Sequence, residues 1–160
     1  MMKGLTEEQV VKVLQERGYR ISFAESCTGG LCSARLVSVA DASKVFDAGV
    51  VTYANEAKVK YLGVKPETIE QFGVVSEQVA AQMAEGVAKA QNAQVGVGVS
   101  GIAGPTGGSE LKPVGTVCFG FYIDGNVTTE TKRFGNLGRN TVREAATEYV
   151  FEELLRLLIK

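Results

Sequence analysis

The chain has 160 residues, 45% of them apolar and 22% charged, a balance that suits one ordinary globular domain with no need of a staple at this size. A formal net charge of −1 with no basic stripe, and no apolar run approaching the roughly 20 residues of a membrane span, argue against nucleic-acid and membrane partners. The histidine count is zero, which excludes a Ser-His-Asp triad, a Cys-His pair and every His-ligated metal site.

The start, Met1-Met2-Lys3-Gly4, has no apolar stretch behind its lysine, so no secretory signal is expected. Three cysteines at 27, 32 and 118, with no C-x-x-C pair, read as free thiols of a reducing, cytoplasmic protein rather than as a disulfide or zinc framework. Thr6 with Gln9 forms a capping-box pattern, and Val10, Val13 and Leu14 follow at helical spacing, so a helix is predicted over 6–17 and closed by Gly18. A strand is predicted over Arg20–Ala24, then a tight turn through Gly29-Gly30 and a helix over Leu31–Val37. Val45–Ala54 reads as a second strand, Glu56–Leu62 as a short helix and Pro66–Phe72 as a turn or short helix. Ser76 caps a helix running to about Gln91, with Val79, Met83 and Val87 on one face. Gln94–Ser100 is a strand in which Val95, Val97 and Val99 alternate with small residues, and Gly101–Pro113 is a Gly/Pro-rich loop. Two further strands, Gly115–Ile123 and Val127–Phe134, meet at Asp124-Gly125, a strong hairpin signal, and the polar second arm reads as an edge. The last helix begins near Arg139. This order predicts a single domain over residues 1–160 of α/β class: a three-layer α/β/α sandwich with a mixed sheet that includes a C-terminal β-hairpin. Its polar edge is compatible with a homodimer or higher homo-oligomer.

Five stretches bear chemistry-capable groups. In Glu25-Ser26-Cys27-Thr28-Gly29-Gly30 a strand ends on a turn into a helix N-terminus, where free N–H groups and the helix dipole favour a developing oxyanion beside a hydroxyl. The alternative reading is a plain cap by Ser26 or Thr28, with Cys27 as a rival nucleophile. In Tyr53-Ala54-Asn55-Glu56-Ala57-Lys58, Tyr53 and Lys58 are the bases left to a serine when histidine is absent. An ordinary lysine titrates near ~10.4, so Lys58 needs burial or a neighbouring cation for that role; otherwise Lys58 and Lys60 are solvated charges on a short helix. Gly96-Val97-Gly98-Val99-Ser100-Gly101 matches G-x-G-x-x-G but lies inside a strand and opens no helix; its glycines thin one sheet face instead. In the loop after Ser100-Gly101, backbone groups with Ser100 and Thr106 are placed to wrap a ligand. Arg139 and Arg143, one turn apart at a helix start, oppose the helix dipole and suit an anion such as a phosphate, or are simply exposed.

Five segments in order resemble the CinA C-terminal domain family, whose characterised activity is nicotinamide-nucleotide amidase. They are Ala24–Gly30, Gly49–Lys58, Gly73–Ser76, Ser100–Pro105 and Lys112–Val117. The resemblance implies hydrolysis of a small nucleotide, nicotinamide mononucleotide, to nicotinic acid mononucleotide and ammonia, with no cofactor and no metal. It implies Ser26 as nucleophile with Tyr53 and Lys58 as partners, and substrate contacts at Thr28, Gly29, Gly30, Ser100, Gly101, Thr106, Arg139 and Arg143. On this expectation Lys58, with Tyr53 relaying or orienting, takes the Ser26 proton, and N–H groups near Thr28–Gly30 bind the oxyanion. The competing class is a non-catalytic module that binds a phosphorylated metabolite with the same loops and arginines.

Overall fold

The computed structural model describes residues 4–160; the reading of Met1–Lys3 as a start without a signal lies outside the described residues. Helix α1 (Thr6–Arg17) ends as expected on Gly18 in the left-handed region, φ 66°. Its start corrects the sequence reading. The Thr6/Gln9 box does not form; Leu5 is the cap, its N–H donating to Glu8 Oε2 at 3.1 Å, while Gln9 Nε2 donates to the Gly4 carbonyl at 3.0 Å.

Strand β1 is Ile21–Glu25, one residue later than expected, and α2 is Leu31–Val37 as expected. The strand expected over 45–54 is mostly not a strand: a 3₁₀ turn at Ala42–Lys44 precedes it, and within it β2 is only Val50–Val51. The segment does run beside β1, since Ile21 N–H donates to Val45 O at 2.8 Å. The ladder breaks where the Ser22 hydroxyl takes the Ala48 carbonyl at 2.6 Å, and a side-chain partner thus replaces a backbone one. Helices α3 (Asn55–Leu62), α4 (Pro66–Phe72) and α5 (Glu77–Ala90) follow, the last capped by Ser76 Oγ, which accepts from Val79 N–H at 3.2 Å. Then come β3 (Val95–Gly101), β4 (Thr116–Ile123), β5 (Asn126–Arg133) and α6 (Arg139–Leu158). The β4–β5 turn is closed by Asp124 and Gly125 with φ 49° and 93°, the positive pair that a two-residue hairpin requires.

The five strands form one mixed sheet in the order β2-β1-β3-β4-β5, parallel across the first three and antiparallel across the last three. Strand parity sorts the two faces. Ile21, Phe23, Val95, Val97, Val99, Phe119 and Phe121 share one core with residues of α1, α2 and α6. Ala24 packs on the opposite face with Val79, Met83 and Val87 of α5. On that face Gly96, Gly98 and Gly120 carry no side chain because α5 lies directly on them. A Cβ at Gly98 or Gly120 would run into the Ala80 carbonyl, and one at Gly96 into that of Ala84. The literal G-x-G-x-x-G is thus a packing surface, as read. The architecture is the three-layer α/β/α sandwich expected, with the polar β5 at one edge. No helix among the described residues is long and apolar enough to cross a membrane.

The topology also places the site. From β1 the chain turns to β2 on one side and later crosses back to β3 on the other, so the sheet has a switch point between β1 and β3. Connections leave such a point in opposite directions and open a crevice at the carboxyl ends of the strands. Those ends are Glu25 and Gly101.

Candidate active site

At the end of β1 alternate side chains go to opposite faces. Glu25 follows the parity of Ile21 and Phe23 and turns to the α2 side. It is fully buried. Its Oε1 accepts from the N–H groups of Gly30 (3.2 Å) and Cys32 (2.9 Å), and its Oε2 from the N–H and hydroxyl of Ser33 (3.0 and 2.8 Å). A carboxylate on the open N–H groups of a helix start satisfies both their hydrogen bonding and the dipole. Glu25, not Ser26 or Thr28, is therefore the cap of α2, and it neither orients Lys58 nor faces solvent.

Ser26 turns the other way, toward α3. Lys58 Nζ lies 3.0 Å from Ser26 Oγ, 2.6 Å from the Thr52 carbonyl and 3.4 Å from the Tyr53 carbonyl. Lys58 is 1% exposed and Ser26 9%. Burial pulls the Lys58 pKa down to about 8. It is not a solvated helix charge. Cys27 goes the opposite way: burial pushes its thiol up to about 11, so it stays protonated at neutral pH and is no rival nucleophile.

The Tyr53 phenol does not join the pair. It is 59% exposed and its oxygen accepts from Arg139 Nη2 at 2.7 Å. The relay expected through this hydroxyl is absent; only the Tyr53 carbonyl reaches Lys58. Of the amides expected to bind an oxyanion, two are already engaged. Gly29 N–H donates to Ser26 O at 3.0 Å and Gly30 N–H to Glu25, so neither is available. Cys27 N–H and Thr28 N–H have no protein acceptor among the described residues.

A cavity of about 380 Å³ opens beside this turn. Its wall includes Cys27, Tyr53, Gly101, Thr106, Lys112 and Arg139, so of the expected substrate residues it gathers Gly101, Thr106 and Arg139. The others do not line it. Ser100 Oγ donates to the Val74 carbonyl at 2.8 Å. Thr28 is fully buried, with its Oγ1 unpaired. Gly29 and Gly30 hold positive φ, 57° and 107°, which the turn requires. Arg143 spends its guanidinium on the protein: Nε to Cys27 O (2.8 Å), Nη2 to Thr28 O (3.1 Å) and Nη1 to Asn140 Oδ1 (3.0 Å). The expected Arg139–Arg143 anion clamp is therefore not formed; one arginine faces the cavity and the other braces the turn. Lys112 was not among the expected residues. Its Nζ reaches the Phe72 carbonyl at 2.6 Å and ties the loop after β3 to the end of α4. A second cleft, of about 390 Å³ between α3 and α4, holds none of the expected residues. Among the described residues no cluster of three His, Cys, Asp or Glu could hold a metal ion.

Fold and site together define a class: a three-layer α/β/α protein with a buried, histidine-free serine–lysine pair at the switch point of its sheet. Residues 4–158 match the family model described as CinA C-terminal domain, and the chain belongs to that family. It is 51% identical over 150 residues to a competence-damage inducible protein of Alkaliphilus oremlandii, covering 94% of this chain and 36% of that protein. It is 47% identical over 153 residues to a CinA-like protein of Kosmotoga olearia, covering 96% and 37%. The chain thus spans about a third of the length of the curated relatives it matches. Among solved structures it is similar to the competence/damage inducible protein CihA of Agrobacterium tumefaciens, 41% identical with a TM-score of 0.92 over 100% of this chain and 99% of that one. A CinA superfamily protein of Klebsiella pneumoniae is 35% identical, also at 0.92, over 96% of each.

Proposed function

We propose that this domain is a serine–lysine amidohydrolase that converts nicotinamide mononucleotide to nicotinic acid mononucleotide and ammonia. The observation that carries the reading is the 3.0 Å approach of a buried Lys58 amine, with its pKa drawn down to about 8, to the Ser26 hydroxyl. At pH 7 roughly one Lys58 in ten is then neutral, against a vanishing fraction for an ordinary lysine. A neutral amine has two N–H bonds and one lone pair. With the Thr52 and Tyr53 carbonyls accepting the two N–H bonds, the lone pair is left facing Ser26 Oγ.

In the proposed reaction Lys58 takes the Ser26 proton as Oγ bonds to the carboxamide carbon. The oxygen charge that develops falls to the Cys27 and Thr28 N–H groups, the uncommitted amides of the turn. The intermediate collapses with rupture of its C–N bond, and the Lys58 proton leaves on ammonia. Water then attacks the acyl carbon, giving one proton to Lys58, which returns it to Ser26 Oγ. The phosphate of the substrate is assigned to Arg139 and Lys112. These are the two cations of the cavity wall, which carries no carboxylate, and their own hydrogen bonds go to neutral oxygens.

Ser26→Ala is expected to abolish ammonia release from nicotinamide mononucleotide with the fold intact. Near-normal turnover in that variant overturns the reading. The same cationic cavity would serve a non-catalytic sensor of phosphorylated metabolites, so binding and ammonia release are to be measured in parallel. Binding of the mononucleotide by the wild type without turnover favours the sensor.

A further inference from the structure

The guanidinium of Arg143 binds two consecutive carbonyls of the turn that follows the serine, and Gly29 is bare where it passes. A Cβ on Gly29 would lie 3.0 Å from Arg143 Nη2. From the other side Glu25 holds the N–H groups of Gly30, Cys32 and Ser33. The turn is therefore gripped by an anion on its N–H groups and by a cation on its carbonyls. What this grip leaves over follows from the geometry of the peptide bond. In a trans peptide the C=O of one residue and the N–H of the next lie in one plane and point in opposite directions. The Ser26 carbonyl is turned inward by Gly29 N–H, so the Cys27 N–H points away from it. The Cys27 carbonyl is turned toward α6 by Arg143 Nε, so the Thr28 N–H points away from α6. They are the two amides of this turn that have no acceptor among the described residues. Successive N–H groups left without an acceptor are the kind of backbone element that binds an anion.

We infer that Arg143 is a positioning residue of the active site: it holds the Cys27–Thr28 peptide so that the Thr28 N–H faces a developing oxyanion, and it binds no part of the substrate. The inference rests on the proposed serine chemistry. It assigns to Arg143 a role that its placement at a helix start would not suggest, since a cation there reads as an anion ligand.

The two roles separate kinetically. A phosphate ligand acts on binding of the nucleotide, whereas an oxyanion positioner acts on the transition state alone. Ammonia release from nicotinamide mononucleotide is measured for the wild type, Arg143→Lys and Arg143→Met. In parallel, labelling of Ser26 by an uncharged alkyl fluorophosphonate is followed. There Oγ bonds to phosphorus, the P–F bond breaks, fluoride leaves and Lys58 takes the proton. That probe carries no nucleotide phosphate but places an oxyanion at the same point. Arg143→Met is expected to lower kcat about 100-fold with KM within about threefold of wild type, and to slow labelling by the same factor. Arg143→Lys, which can hold one carbonyl but not two, is expected to fall between. A raised KM with kcat retained, or an unchanged labelling rate, overturns the inference. Should the Met variant fail to fold, the labelling rate of Arg143→Lys decides. A wild type that labels at Ser26 yet releases no ammonia sinks the amidase reading and leaves the Arg143 comparison intact on labelling. A wild type that does not label at all overturns both.

Discussion

An amine held among two carbonyls and a hydroxyl, away from water, is a poor place for a charge and a good place for a base. The sign of its titration yields two predictions. As a general base Lys58 must be neutral, so kcat/KM is expected to rise about tenfold per pH unit below pH 8 and to level off above, read from the pH profile of ammonia release. A rate independent of pH between 6 and 8 removes Lys58 from the mechanism. Stability follows the same group. Its pKa is lower folded than unfolded, so between about 8 and about 10.5 the unfolded chain binds more protons than the native one. Stability is therefore expected to improve as pH rises through that window, and Lys58→Met to flatten this rise while abolishing turnover. Urea midpoints taken across the window check both. Glu25 supplies a third case. Its carboxylate accepts four hydrogen bonds from α2, and Glu25→Gln would turn an amide N–H₂ toward donors. The expected cost is about 2–3 kcal/mol in urea denaturation, with a parallel fall in activity because Ser26 stands on the same turn.

Among the elements, the clearest lesson is the difference between α2 and β2. Helix α2 was legible to the residue because its signals, a Gly-Gly turn and a seven-residue apolar-periodic run, are local. Strand β2 was not. Val45–Ala54 is apolar enough for a strand, but its pairing with β1 depends on Ser22, whose hydroxyl lies 26 positions away and intercepts the ladder at Ala48. Helix α5 shows how much an element can owe to what is missing beneath it. Gly98→Ala would set a methyl group against the Ala80 carbonyl, a backbone atom that cannot rotate aside. The expected loss is about 3 kcal/mol, seen as a lower urea midpoint at unchanged slope. A loss under about 1 kcal/mol would show that α5 lifts without penalty. Ser76→Ala, by contrast, removes one cap and is expected to cost about 1 kcal/mol.

At the scale of the whole molecule, the cavity exists because five connections meet at one end of the sheet, the link between α4 and α5 supplying Val74 and Val75. The turn after β1 brings Cys27, the link from β2 to α3 brings Tyr53, the loop after β3 brings Thr106 and Lys112, and the start of α6 brings Arg139. The positive charge of the wall is a property of this assembly, since the whole chain carries a net −1. Lys112→Met is accordingly expected to raise KM for nicotinamide mononucleotide about tenfold while leaving kcat nearly unchanged, and to leave fluorophosphonate labelling of Ser26 at the wild-type rate. A loss of labelling would mean instead that Lys112 supports the loop rather than the phosphate.

Sequence by itself determined the class of the fold, most of its helices, the hairpin and the short catalogue of groups able to do chemistry. These rest on periodicity, caps, turn residues and the absence of histidine, all of which are local or countable. It also placed Ser26, Tyr53 and Lys58 under suspicion together. Only the tertiary structure decided where each stands. Burial took Lys58 out of water and drew its pKa down, and the Tyr53 phenol turned to Arg139, apart from the Ser26–Lys58 pair. Strand parity sent Glu25 and Ser26 to opposite faces, a signal present in Ile21-Ser22-Phe23-Ala24-Glu25 but readable only once the strand's ends are known. Arg143 could not be told from an anion ligand by sequence, because its partners are carbonyl oxygens 115 and 116 positions away, and backbone carbonyls carry no trace in the residue code.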